Sequence, residues 1–153
     1  MDNNLIYQTL VDGLRERFGF DFCALALEED SLSQYAIKWR VASGNLNGRY
    51  RRIVLKKGRG VAGTVFKTGK PILVQSIDPD RHAIGLFDYP IVASERLTSC
   101  GAVPLWNGGR ISGVLLGGFR DGRAEVTEDQ IRELLYVLPE GLPGFDGKEL
   151  TRL

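Results

Sequence analysis

The segment Lys57-Gly58-Arg59-Gly60-Val61-Ala62-Gly63-Thr64-Val65 is the most informative stretch of this chain. Two glycines precede a helical pattern from Val61 to Thr68, and Gly69 follows it, which predicts a turn that leads into a short helix. Glycines let a backbone approach a ligand closely, and the N–H groups at a helix start attract an anion. The stretch lacks the ending of a Walker nucleotide loop and the glycine spacing of a Rossmann loop. Alone, it is equally consistent with an ordinary turn that carries a solvated basic loop.

A second helix start is predicted at Tyr89-Pro90-Ile91-Val92. The proline fixes the first helical turn, and the N–H groups of Ile91 and Val92 are left free to donate. Two helix starts that faced one cavity would form a strong anion site. Whether they face each other does not follow from the sequence, because it depends on the fold.

Trp39 is a third candidate for the same site. It lies between Lys38 and Arg40 in a predicted strand, so its side chain points to the opposite face, most simply inward. An inward tryptophan usually belongs to the core. A buried indole N–H nevertheless needs an acceptor, and a ligand oxygen could supply one.

The hydrophobic pattern predicts a sheet with helices around it. Strands are expected at residues 22–27, 35–42, 71–75, 98–105 and 110–119, the first two as an antiparallel pair, with a brief alternation at 52–55. A short helix is expected at 91–96, and Trp106-Asn107-Gly108-Gly109 predicts a hairpin between the last two strands. A first helix is expected to end at Gly19 and to have an apolar stripe of Leu5, Ile6, Leu10, Leu14 and Phe18. A closing helix is expected after a capping box of Thr127 and Gln130, with an apolar face of Ile131, Leu134, Leu135 and Leu138.

Length and charge limit the classes of protein. The 153 residues, with 43% hydrophobic and 25% charged content, fit one domain spanning 1–153, whose tail from about 139 lacks periodicity. A formal net charge of +1 gives no global attraction to nucleic acid or to a membrane. The polar, acidic start is not a secretory signal, and no apolar run reaches membrane-spanning length, so a cytoplasmic location is expected.

The residues that could carry catalysis are few and scattered. His82, the only histidine, is interpreted as a surface residue of a loop, and no Ser-His-Asp or Cys-His spacing is present. Cys23 and Cys100 are interpreted as two reduced thiols in or near the core. The sequence therefore predicts no enzyme activity, no metal site and no cofactor. The arginines around Tyr50 are interpreted as a solvated edge strand in preference to a nucleic-acid patch; they are Arg49, Arg51 and Arg52.

The order of these elements resembles the GAF domain family over almost the whole chain. The likeness rests on Gly-Arg-Gly-Val-Ala-Gly-Thr-Val at 58–65, Thr-Ser-Cys-Gly-Ala-Val-Pro-Leu at 98–105 and Ile-Ser-Gly-Val-Leu at 111–115. It implies an α/β (α+β) fold with a central antiparallel sheet. The terminal helices would pack on one face, and the ligand-pocket loops and short helices would cover the other.

Within that family, the chain is most similar to stand-alone nitrate receptors. The resemblance implies a nitrate pocket that uses Trp39, the helix start at Val61 and Ala62, and Tyr89 with Ile91 at the second helix start. Val61 stands where that pattern has a leucine, which leaves the backbone N–H unchanged. The resemblance also implies a sensor that modulates an oxygen-sensing sensor histidine kinase of a two-component system controlling nitrate/nitrite respiration, and it allows a homodimer.

Other GAF functions remain as alternatives. The family's free methionine-(R)-sulfoxide reductases need a reactive and a resolving cysteine in the loop around residues 80–95 and the later strands, and that loop has none here. Cyclic-nucleotide GAF domains carry an Asn-Lys-Phe-Asp-Glu signature that this chain lacks. A bilin or haem sensor would need a ligating cysteine or histidine, for which His82 is the lone candidate. A GAF fold that serves dimerisation alone is the remaining alternative.

Overall fold

The computed structural model describes residues 3–30, 35–78 and 89–138. The loop position of His82 and the predicted irregular tail from 139 lie outside these residues. Within them, six strands form one antiparallel sheet in the order β3-β2-β1-β6-β5-β4. The strands are β1 (Phe22–Asp30), β2 (Tyr35–Ser43), β3 (Val54–Leu55), β4 (Ile72–Val74), β5 (Leu97–Asn107) and β6 (Arg110–Arg120). The helices are α1 (Asn3–Phe18), α2 (Gly60–Thr68), α3 (Pro90–Ser94) and α4 (Glu128–Val137), with a 3₁₀ turn at Arg49–Arg52.

The sheet separates two apolar cores, because successive side chains of a strand point to opposite faces. On one face, which we call the pocket side, Ala24 and Ala26 of β1 pack with residues of α2 and α3. On the other, the helix side, Cys23 and Leu25 pack with residues of α1 and α4. This arrangement confirms the predicted fold class, with terminal helices on one face and short helices on the other.

Helix α1 buries a different stripe from the one predicted. The buried residues are Tyr7, Val11, Leu14 and Phe18, whereas the side chain of Leu5 is 67% exposed. Spacings of four, three and four residues make that set a continuous helical face. The predicted stripe shares Leu14 and Phe18 with this face, and its Leu10 packs against the helix-side core while partly buried. Tyr7 and Val11 were not predicted, and the helix ends before Gly19 as expected.

The segment around Tyr50 is not the edge strand that the sequence suggested. It forms the 3₁₀ turn, and the strand is reduced to Val54 and Leu55. Tyr50 is 3% exposed and belongs to the pocket-side core, while the flanking Arg49, Arg51 and Arg52 are exposed. A 3₁₀ turn fits this pattern because one buried aromatic can anchor it while its neighbours face solvent.

Two local signals gave correct predictions. Strands β5 and β6 are joined by Gly108 and Gly109 alone, with φ angles of +63° and +80°, as a two-residue hairpin turn requires. At the start of α4, the Thr127 hydroxyl accepts from the Gln130 N–H at 3.1 Å, and the Gln130 side chain accepts from the Thr127 N–H at 3.1 Å. The predicted capping box is confirmed.

Replacing Gly117 by alanine should lower the free energy of unfolding by about 1–3 kcal/mol. A Cβ there would lie 2.2–2.6 Å from atoms of the Phe20 ring. That ring has little freedom to move, since it stacks on Phe18 at 5.3 Å and meets Phe119 edge-on at 5.5 Å. The matched control is Gly13→Ala in α1, where nothing lies within 4 Å and a gain of about 0.5–1 kcal/mol is expected. Equal urea midpoints for Gly117→Ala and the wild type would contradict this packing.

Candidate ligand-binding site

The glycine loop is fixed against the first turn of α2. The Gly58 N–H donates to Gly63 O at 2.7 Å, and the Arg59 N–H donates to Lys56 O at 2.9 Å. A Cβ on Gly63 would lie 2.3 Å from Lys56 O, so only glycine allows this approach of loop to helix. The loop and the helix start therefore form one rigid unit.

The start of α2 presents unshared donors. Helix α2 begins at Gly60, and Arg59, its N-cap residue, makes no side-chain capping bond to the described residues. The N–H groups of Gly60, Val61 and Ala62 therefore have no partner within the helix. Val61 is 1% exposed and Ala62 is 0% exposed, so these donors lie at a buried, electropositive helix end.

The start of α3 supplies one further donor. Pro90 occupies the first position, and the N-cap residue Tyr89 makes no side-chain capping bond in the described part of the chain. Tyr89 O accepts from the Val92 N–H at 3.0 Å, so this N–H is not free as the sequence suggested. Ile91 comes one residue before Val92, and its N–H has no partner within the helix.

Trp39 belongs to the same apolar core as residues of these helix starts. It is 2% exposed and belongs to the pocket-side core together with Val61, Ala62 and Ile91. Its inward orientation was predicted correctly. Its Nε1 atom is buried and has no hydrogen-bond partner among the described residues. A buried donor without an acceptor is unfavourable, which makes this indole N–H a candidate ligand contact.

A cavity of about 380 Å³ lies between the glycine loop and the start of α3. Tyr89 is the predicted site residue that lines it; its side chain is 40% exposed. The other four predicted residues lie in the pocket-side core and are not part of the lining. Sequence reasoning missed Thr64, whose hydroxyl donates to Gly60 O at 2.7 Å; its position one turn after Gly60 is a signal that could have found it. The full lining is Leu55, Gly58, Arg59, Gly60, Thr64, Tyr89 and Pro90.

The surroundings of the cavity are basic. Residues 31–77 include ten lysines and arginines and no acidic residue, although the whole chain is almost neutral. The Lys67 ammonium lies beside Gly58, 3.7 Å from where a Cβ would stand. Glu28 lies 3.7 Å from Lys57 and 3.3 Å from Arg110 and offsets part of this charge. The local field favours anions, within a screening distance of about 8–10 Å at cellular salt.

The two cysteines lie on opposite faces of the sheet. Cys100 belongs to the pocket-side core and Cys23 to the helix-side core, and neither forms a disulfide. Burial raises the pKa of each thiol to about 12. Both thiols are therefore protonated at neutral pH and react slowly.

The described residues lack two further structural features. They contain no group of three or more His, Cys, Asp and Glu side chains placed to hold a metal ion. None of their helices is both long and apolar enough to cross a membrane.

Comparison with known proteins places this architecture in a family. The sequence model of the GAF domain matches residues 5–137. The chain belongs to the GAF domain family. None of the curated proteins compared matches the chain.

Several solved structures are similar to this chain. One is the NreA protein of Staphylococcus aureus mutated in its nitrate-binding site, which is 42% identical, with 83% of this chain and 96% of that chain covered and a TM-score of 0.74. A second structure of mutated NreA is 39% identical, with 93% and 94% covered and a TM-score of 0.70. The free methionine-R-sulfoxide reductase of Neisseria meningitidis, solved with its substrate, is 25% identical, with 90% and 75% covered and a TM-score of 0.63.

Proposed function

We propose that this GAF protein is a nitrate receptor. The observation that carries the proposal is the buried Trp39 Nε1, which has no acceptor among the described residues and shares a core with two helix starts. The likeness to NreA, at about 40% identity over most of both chains, supports nitrate as the anion. In this proposal nitrate lies in the pocket-side core, where Trp39 and the N–H groups of Val61, Ala62 and Ile91 donate to it, and Tyr89 lines the cavity through which it enters.

The chemistry of the site suits an anion of low charge that can be bound by neutral hydrogen-bond donors. Nitrate is small, planar and singly charged, and its charge is spread over three oxygens. A few neutral N–H donors at helix starts can hold it without a cationic side chain in contact. Phosphate carries more charge and would need charged partners in contact, whereas the donors proposed here are neutral N–H groups of the pocket-side core. We therefore expect no resident cofactor, and nitrate itself as the ligand.

Calorimetric titration of the purified protein tests the ligand. We expect saturable binding of nitrate and weaker or no binding of nitrite and chloride. Cyclic nucleotides and methionine sulfoxide serve as probes of the alternative GAF functions. Absence of any heat with nitrate, from protein shown to be folded by circular dichroism, would exclude the receptor function.

We further propose that the protein acts in the cytoplasm on an oxygen-sensing sensor histidine kinase of a two-component system. A ligand changes such a contact only through a difference in affinity between the free and the partner-bound states. The glycine loop and the start of α3 line the candidate cavity, so a partner that touches them would sense whether nitrate is bound. The nitrate-free protein is expected to restrain kinase autophosphorylation, and nitrate to relieve the restraint.

Four kinase reactions test this regulation: with and without the protein, each with and without nitrate. We expect low autophosphorylation only when the protein is present and nitrate is absent. The same level in all four reactions, with protein that binds nitrate by calorimetry, would exclude this kinase as the partner.

Reduction of free methionine sulfoxide is the second candidate function, favoured by the structural neighbour at 25% identity and by Cys100 on the pocket side. A dithiol cycle needs two thiols that can meet, and the sheet separates Cys100 from Cys23. We propose instead that the protein is not an enzyme.

No turnover of methionine sulfoxide with thioredoxin is expected. Both thiols of the folded protein should also resist iodoacetamide at pH 8, with rates at least about 100-fold below those in urea, since a pKa of about 12 leaves few thiolates. Turnover that disappears in Cys100→Ser would overturn the non-enzyme proposal.

A further inference from the structure

A buried ion pair lies at the far end of α3 from the candidate anion site. Glu95 is 0% exposed, and the Arg120 side chain is 13% exposed. The Arg120 guanidinium donates through Nη2 to the Glu95 carboxylate and through Nε to the Glu95 carbonyl oxygen at 2.7 Å. One arginine of the central strand β6 therefore holds both the side chain and the backbone of Glu95.

This pair fixes a helix that is too short to fix itself. Helix α3 has only five residues, and the Glu95 N–H donates to Ile91 O at 3.0 Å. Arg96 has a φ of +53°, which ends the helix immediately afterwards. Ile91 and Glu95 are one helical turn apart and are joined by this hydrogen bond. The position of Glu95 therefore sets the position of the first turn of α3.

The same carboxylate also holds a second segment of the pocket side. Glu95 Oε1 accepts from the Leu46 N–H at 2.9 Å, and Arg120 Nη1 donates to Gly44 O at 3.0 Å. Residues 44–48 lead into the 3₁₀ turn, whose Tyr50 packs in the pocket-side core. Glu95 thus ties α3 and this segment to the sheet through one group.

The stability of the fold does not by itself explain why an ion pair is buried at this position. Glu95 Oε2 is buried and has no hydrogen-bond partner among the described residues, so the network is incompletely satisfied. Well-packed apolar residues often match or exceed the stability of a buried ion pair. A directional contact, by contrast, can fix where a backbone segment lies, and apolar packing does this less well.

We infer that Glu95 and Arg120 are positioning residues for anion binding, which hold the Ile91 N–H in place through α3. The inference rests on the proposed nitrate function for its binding test. It also has a test that needs no ligand, because the position of α3 can be measured in the free protein.

The experiment compares Glu95→Asp with Glu95→Gln. Aspartate keeps the charge but draws the carboxylate back by one methylene, whereas glutamine keeps the length and the acceptor for Leu46 and Arg120. We expect Glu95→Asp to weaken nitrate binding by about tenfold or more and Glu95→Gln to stay within about threefold of the wild type. Arg17→Ala is the matched control, because it removes an exposed ion pair with Glu133 on the helix side of the sheet, and its affinity should be unchanged.

Amide NMR of the nitrate-free proteins supplies the second readout. Glu95→Asp should shift the signals of the Ile91 amide and the Trp39 indole. Glu95→Gln should leave both signals at their wild-type positions. The inference is overturned if folded Glu95→Asp keeps these signals or binds nitrate like the wild type, or if Glu95→Gln loses as much affinity as Glu95→Asp. A wild type that does not bind nitrate would refute the proposed function, and the shifts of the free proteins would still decide the positioning role.

Discussion

Trp39→Phe is expected to weaken nitrate binding by about 10- to 100-fold and to leave the protein folded. The substitution keeps an aromatic ring in the pocket-side core and removes one N–H donor. That donor has no acceptor among the described residues, so the fold loses no hydrogen bond with it. A hydrogen bond to a charged ligand contributes about 1.5–3 kcal/mol, which sets the expected range. Calorimetry gives the affinity, and urea denaturation gives the stability.

Trp106→Phe is the control, since the chain has only these two tryptophans. Trp106 is 41% exposed and packs near Gly69, at the other end of α2 from the candidate site. Its removal should leave the nitrate affinity unchanged. Equal affinities for the Trp39 and Trp106 variants would show that the indole N–H is not a ligand contact.

Gly63→Ala is expected to lower both the stability and the nitrate affinity. The added Cβ would lie 2.3 Å from Lys56 O, a backbone atom that can yield only if the glycine loop moves. Overpacking of this kind destabilises by about 1–3 kcal/mol. Displacement of the loop would also break the 2.7 Å bond from Gly58 to Gly63 and disturb the start of α2. We expect an affinity loss of about tenfold or more, comparable to one lost hydrogen bond.

Gly48→Ala separates this effect from a general loss of glycine. An added Cβ there would meet Arg51 Nη1 at 3.6 Å, an ordinary contact, and the φ of −92° suits any residue. Its affinity and its urea midpoint should match the wild type. If Gly63→Ala matched the wild type as well, the loop and the helix start would not be the rigid unit described above.

The site elements that could be predicted were those with local causes. The glycines around Val61 and the proline before Ile91 mark two helix starts, and the alternation around Trp39 gives its direction. Each of these signals spans only a few residues. That Trp39, Val61, Ala62 and Ile91 share one core depends on the sheet order, which the residues near the site do not encode.

The Glu95–Arg120 pair shows the opposite case. In the sequence, Glu95 and Arg96 are two adjacent charged residues between a short helix and a strand. Such residues are ordinarily interpreted as exposed to solvent. The partner of Glu95 lies 25 residues away, at the end of β6. Only the pairing of Leu97 with Arg120 across β5 and β6 brings the two together. Long-range strand register is what sequence reasoning lacked.

The sheet that keeps Cys23 and Cys100 apart also limits the chemical signals to which the protein can respond. A receptor with reactive thiols would respond to oxidants as well as to its ligand, and its output would not distinguish the two. Here both thiols are buried, protonated and unable to meet. In the proposed nitrate receptor, oxidants would therefore leave these two thiols unchanged, and the protein would respond to nitrate alone.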